Sequence, residues 1–199
     1  MTVSYITGLT RSRSNVGGTT HRLKAYPCRN GNHPVLYAGT PVRLSLGGLK
    51  VALNTTAVLG VAKSFGWVDK TTGQPQYSQY IPANTSSKNS TLHEGFTSPF
   101  ALVDDNPHGT WIIASDLSVS AGQLGTLARV TNGAAGSAVT KRSTCEVDPS
   151  GTTVSAGDAM FRIMDVYRIS EITSAGGEDN SWNSPSTLFE VVFSNHLYG

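Results

Sequence analysis

Asp104 and Asp105 stand side by side ahead of Asn106-Pro107-His108-Gly109. Adjacent carboxylates can share a proton or hold a hard cation, so this pair is the first place to look for chemistry. The regular acid spacing of a calcium loop is missing around it. Asp, Asn, Pro and Gly together are turn formers, and the preferred reading is a turn whose backbone the acids cap. Metal or acid–base work is the alternative. The five histidines, His21, His33, His93, His108 and His196, are dispersed without ligand spacing. His196, in "FSNHLYG", reads as a strand-end residue. Cys28 and Cys145 are far apart and read as two reduced thiols, with a disulfide tying the N-terminal stretch to the body as the alternative. The chain contains no Gly-x-Ser-x-Gly elbow, Walker loop, His-Glu-x-x-His or Cys-x-x-Cys. The expectation is a protein that is not an enzyme, with no catalytic residues, no metal and no cofactor.

The charges are distributed unevenly. Residues 1–68 carry eight bases (Arg11, Arg13, Arg22, Lys24, Arg29, Arg43, Lys50, Lys63) and no acid, whereas thirteen acids face seven bases from Asp69 onward. The two parts are therefore +8 and −6, which points to an acidic partner or an identical neighbour. Solubilising charges on edge strands are the plainer explanation. The bases never cluster as nucleic-acid binding requires, so no nucleic-acid partner is expected. No stretch approaches the ~18 apolar residues needed to cross a membrane, and no membrane partner is expected. The opening "MTVSYITGLTRSRSNVGG" lacks the apolar core of a secretory signal, which predicts a cytosol-like place of synthesis.

The elements that would carry these residues are short strands. Apolar residues make up 38% and charged residues 14%, with abundant Gly, Ser, Thr and Asn, which favours a turn-rich β-protein. Residues 1–33 have scattered glycines and little to bury, and read as an extended basic N-terminal arm. Tyr5, Ile6, Leu9, Leu23 and Tyr26 are spaced along it like anchors. The β-rich body, 34–199, opens with "VLYA", "VRLSL", "LKVAL" and "VLGVAK". In these, Val42, Leu44 and Leu46 alternate onto one face, as do Leu49, Val51 and Leu53, and Gly60 predicts a bulge or corner. Residues 69–95 read as a long polar loop. "SPFALVDD" and "TWIIASD" read as strands across the Asn106–Gly109 turn, and "SDLSVSAGQLG" as a helical turn capped by Ser115 or Asp116. "TLARVTN", "DAMFRIMDVYRISEI" and "STLFEVVFSNHLYG" complete the set, the last with Phe189, Val191 and Phe193 on one face. The class predicted is all-β: an antiparallel barrel or sandwich, jelly-roll or β-tulip-like, with the extended arm.

"YAGTPVRLSLGGLKVALNTTAVLGVAKS" resembles the Gly-x-x-Val…Gly-Val-Ala segment of tailed-phage capsid cement and head-decoration proteins. The later order is similar to podophage virion proteins. It runs "FALVDDNPHGTWIIA", "LGTLARVTNGAAGSAVTKRSTCEVD", "MFRIMDVYRI", "EDNSW" and "EVVFSNHLY". The resemblance implies a non-enzymatic protein on the capsid exterior of a virion assembled in the host cytoplasm. It would clamp neighbouring copies of the major capsid protein against internal pressure, often as a homotrimer. On that basis the capsid-binding arm is assigned to Tyr5, Arg11, Arg13, Arg22, Lys24 and Tyr26. A carbohydrate-binding or adhesive β-module on a virion surface is the alternative that the composition allows.

Overall fold

The computed structural model describes residues 8–12, 22–28, 35–69, 71–82, 96–118, 120–133, 135–137, 139–149, 159–167 and 187–198. Their strands, in chain order, begin with β1 (Thr10–Arg11), β2 (Leu23–Pro27), β3 (Leu36–Tyr37), β4 (Pro41–Ser45), β5 (Gly48–Val51) and β6 (Gly60–Asp69). There follow β7 (Pro75–Ser78), β8 (Tyr80–Ile81), β9 (Phe96–Asp104), β10 (Trp111–Ala114) and β11 (Leu127–Thr131). The last are β12 (Gly136–Ser137), β13 (Arg142–Ser143), β14 (Glu146–Asp148), β15 (Phe161–Val166) and β16 (Leu188–Phe193). The predicted all-β class is observed, and the pairing within both large sheets is antiparallel. Among the described residues neither sheet closes into a barrel, which is consistent with the sandwich alternative.

The first sheet has the order β1-β10-β16-β15-β11-β14. Its inner face is strictly alternating: Phe189, Val191 and Phe193 are all buried, as the sequence pattern predicts. They join Trp111, Ile113, Phe161 and Ile163 in an apolar core completed by Leu9, Ala52, Val58 and Val61 from outside that sheet. The second sheet runs β2-β9-β6-β4-β5, with β7 on the far half of β6. It curls so far that its edge strands β2 and β5 come within contact distance without forming a ladder. Inside the curl lies a second core of Val42, Leu49, Phe65, Ala101 and Val103, plugged by Leu36 of β3 and Ile81 of β8.

A bulge in β6 serves both cores. The pairing with β9 shifts between Ala62 and Ser64, so Lys63 is an extra residue. Val61 thus faces the first core, while Ala62 and Phe65 both face the second. The corner predicted at Gly60 is a close approach of two backbones. A Cβ there would lie 2.1 Å from the Asp104 carbonyl oxygen.

Three expectations need correction. The polar stretch 69–95 is partly ordered strand: β7 folds back on β6, helped by Asp69, whose Oδ1 accepts the N–H groups of Thr71 and Thr72 and is thereby held below the usual carboxylate range. The helical turn is a 3₁₀ turn, Ala121–Gln123, with Ser120 at its N-cap; Ser115 instead hydrogen-bonds the backbone of Leu117. The alternation over Val42, Leu44 and Leu46 runs past the end of its strand. Ser45 and Gly48 are the last pair of the β4–β5 hairpin, which leaves Leu46 and Gly47 as a two-residue loop with φ of +51° and +77°. Positive φ at both positions is what a type I′ hairpin turn demands, and Asn-Gly is its usual occupant. Leucine in that left-handed region costs about 1–2 kcal/mol.

Candidate functional site

The described parts of the predicted arm are built into the sheets. β1 pairs with β10 through Thr10–Ile112 and Arg11–Trp111, and β2 pairs with β9 over its whole length from Leu23–Asp104 to Pro27–Phe100. The sequence-level signal was low apolar content, but the anchoring here is through backbone ladders and ion pairs, which low apolar content does not report.

Those ion pairs end on the adjacent carboxylates ahead of the Asn106–Gly109 turn. Asp104 and Asp105 are both fully buried, and the pleat at the end of β9 sends them to different partners. Asp104 meets Arg11, with Nη1 3.7 Å from Oδ2, where β9 and β10 diverge into separate sheets. Asp105 meets Arg22, with Nε 3.1 Å from Oδ1, and accepts a 2.5 Å hydrogen bond from the Tyr26 hydroxyl at Oδ2. The turn reading of the following residues holds: the His108 N–H is bonded to the Asn106 side chain and the Gly109 N–H to its carbonyl. This turn carries the chain from one sheet to the other. The acids are anchors for the N-terminal basic stretch, and two of the eight early bases find their acidic partners within the chain.

The six residues assigned to partner binding divide accordingly. Tyr5 and Arg13 lie outside the described residues. Arg11 is buried against Gly109, its Cζ 5.1 Å from the centre of the Trp111 ring. Tyr26 is buried, and burial together with the bond to Asp105 raises its hydroxyl far above the ordinary tyrosine range. Both are structural, with no surface to offer a partner. Arg22 and Lys24 are exposed, the Lys24 Nζ standing 5.4 Å from the Tyr26 ring centre. Only these two of the described set can reach another molecule.

Two features escaped sequence reasoning. Lys63, the bulge residue, places Nζ 4.7 Å from the centre of the Trp111 ring, and burial lowers it to about 8. Nothing in the local sequence marks a bulge at Lys63. The second feature is a rim at one end of the second sheet, to which Leu46 contributes. His196 is buried; its Nδ1 accepts the Tyr198 N–H, and burial lowers its pKa. Cys28 and Cys145 are free thiols buried in different cores, pushed by burial to about 12 and about 11. Among the described residues no group of three or more His, Cys, Asp or Glu is placed to hold a metal ion, and no helix is long and apolar enough to cross a membrane.

A scan against protein-family models, a search of curated proteins and a search of solved structures each find no match.

Proposed function

We propose that the chain is a capsid decoration protein. In this reading it binds the outer surface of a phage head and clamps neighbouring copies of the major capsid protein against internal pressure. The observation that supports it is the placement of the stretches resembling cement proteins. Residues 37–64 make the β4–β5 hairpin and the first half of β6, all within the second sheet. "FALVDDNPHGTWIIA" makes the crossing between sheets, and "EVVFSNHLY" contributes to β16. Much of the resemblance thus falls on strands of both large sheets, while "EDNSW" lies outside the described residues. The partners are the major capsid protein and further copies of the chain, assembled head to tail as a trimer through the +8 and −6 parts.

A cement acts by mass action: it binds the assembled shell and not dispersed subunits, and so stabilises the shell. The test is the temperature at which heads release DNA with and without added protein. The expected result is a rise that saturates with occupancy. Binding to heads with no change in that temperature overturns the clamping role.

One observation favours a second reading, an adhesive or carbohydrate-binding module. Tyr77 of β7 is two-thirds exposed and sits edge-on to Phe100, ring centres 6.2 Å apart, on a strand with few charges. An exposed ring of this kind can stack on the apolar face of a sugar. Cosedimentation with glycans, abolished in Tyr77→Ala, separates the two readings.

A further inference from the structure

The register of the second sheet and the course of the C-terminal segment bring five exposed apolar side chains to one end of the curl. Asp104, at the end of β9, is opposite both Val61 of β6 and Leu23 of β2, and Gly60 is opposite Val42 of β4. The start of β2, the end of β9, the start of β6 and the tip of the β4–β5 hairpin therefore share one rim. The C-terminal segment joins them: the Leu197 N–H bonds the Val58 carbonyl, and the Tyr198 side chain hydrogen-bonds Tyr26. Leu23, Leu44, Leu46, Leu197 and Tyr198 are all exposed, Leu46 by 77%.

The charge of this rim is one-sided. Arg22 and Lys24 flank it, and the Arg22 side chain is 59% exposed. The two acids at the end of β9, Asp104 and Asp105, are both fully buried, Asp105 under Arg22 and Tyr26. Behind the tip, Arg43 and Lys50 stand directly opposite each other in the β4–β5 ladder, an unfavourable pairing of like charges. A large apolar residue also occupies the left-handed turn position at the tip, where Asn or Gly would relieve the backbone and be better hydrated. Three local features work against the isolated hairpin: a strained turn residue, exposed leucines and opposed cations. An apolar recess edged with carboxylates would offset the last two and give the first a purpose.

We propose that this rim is the docking surface of the chain, and that its occupant is such a carboxylate-edged apolar recess on the outer face of the head shell, with Leu46 as the inserted side chain. The proposal rests on the decoration reading and names the contact that reading requires.

The experiment measures binding of full-length protein to undecorated heads, together with the melting temperature of each variant and its sedimentation when free. Leu46→Asn should raise the melting temperature by about 2–4 °C, since it relieves the turn. It should also weaken head binding by about tenfold or more, since it removes the inserted side chain. A purely structural role for Leu46 cannot produce that opposition. Lys24→Glu should weaken binding and flatten its salt dependence. Leu124→Asn, an exposed leucine of the other sheet region, should leave binding unchanged. If wild-type protein binds heads and Leu46→Asn binds equally well, the rim is not the docking surface and the decoration reading stands. If wild-type protein does not bind heads, that reading falls and the proposal falls with it. If Leu46→Asn abolishes self-association of the free protein and leaves head binding intact, the occupant is a second copy and the assignment to the shell is overturned.

Discussion

The inner face of the first sheet and the rim of the second obey opposite rules. On the inner face, Phe161, Phe189, Val191 and Phe193 sit where strand alternation puts them, and the Phe161 and Phe193 rings stack 5.5 Å apart. Propensity, pattern and burial agree there, as they do wherever a region exists to hold a fold together. On the rim, Leu46 contradicts its turn, Leu44 is left partly outside the core its pattern predicts, and Arg43 faces Lys50. Regions that violate local rules in a stable chain are where function is to be sought.

The sharpest way to break this contrast is at its most consistent point. Phe161→Ala should cost about 3–5 kcal/mol, through lost burial and the cavity left behind. Leu44→Ala, at the rim, should cost below about 1 kcal/mol, because that side chain has only partly left water. Urea denaturation of the two variants measures the difference, and equal losses would erase the distinction between the regions.

The two arginine–aspartate pairs repeat the contrast on a smaller scale. Arg11 and Asp104 are both buried, with side-chain exposures of 6% and 0%, whereas Arg22 is open to solvent. Arg11→Ala strips the guanidinium from a carboxylate that stays inside, and should cost about 3 kcal/mol. Arg22→Ala should cost below about 1 kcal/mol, since Asp105 keeps the Tyr26 hydroxyl. The same melts read both, and added salt should narrow the loss only for Arg22→Ala.

The last contrast is one of pH dependence and belongs to Lys63. Its folded pKa of about 8 lies below the ordinary 10.5, so between those values the unfolded chain binds a proton that the native chain has released. Stability from this group therefore rises with pH across that window, and the contribution is lost as pH falls through about 8. Melts between pH 7 and 9 should show a rise of up to about 1 kcal/mol that Lys63→Met removes. The window stops at 9 because Cys28 and Cys145, raised by burial, act in the opposite direction above their ordinary value of 9.0.

Much of the fold was legible. The alternation over Phe189–Phe193, the turn after Asp105 and the hairpin around Gly47 follow from side-chain period and turn chemistry alone. The pairing of Arg11 with Asp104 was not, because 93 positions separate the two and only the assembled sheets bring them together. The β6 bulge was equally hidden: a single extra residue reverses which face Phe65 presents, and its local sequence is that of an ordinary strand. For the same reason the candidate site moved. Reading the basic stretch as an arm depended on its composition, while the rim depends on strand register, which places Leu23, Leu46 and Leu197 together from distant parts of the chain.

The position of β16 has a consequence for how the chain comes off the ribosome. This strand, among the last described residues, lies in the middle of its sheet between β10 and β15. Until Leu188–Phe193 has been translated, β10 and β15 have no ladder to share and the aromatic core has no floor. At about 5–20 residues per second, the nascent chain carries open strand edges for seconds before its sheet can assemble. Folding of this sheet is therefore deferred until Leu188–Phe193 has been made, and a chain that stops short of Leu188 is a substrate for chaperones or proteases and not a smaller version of the protein.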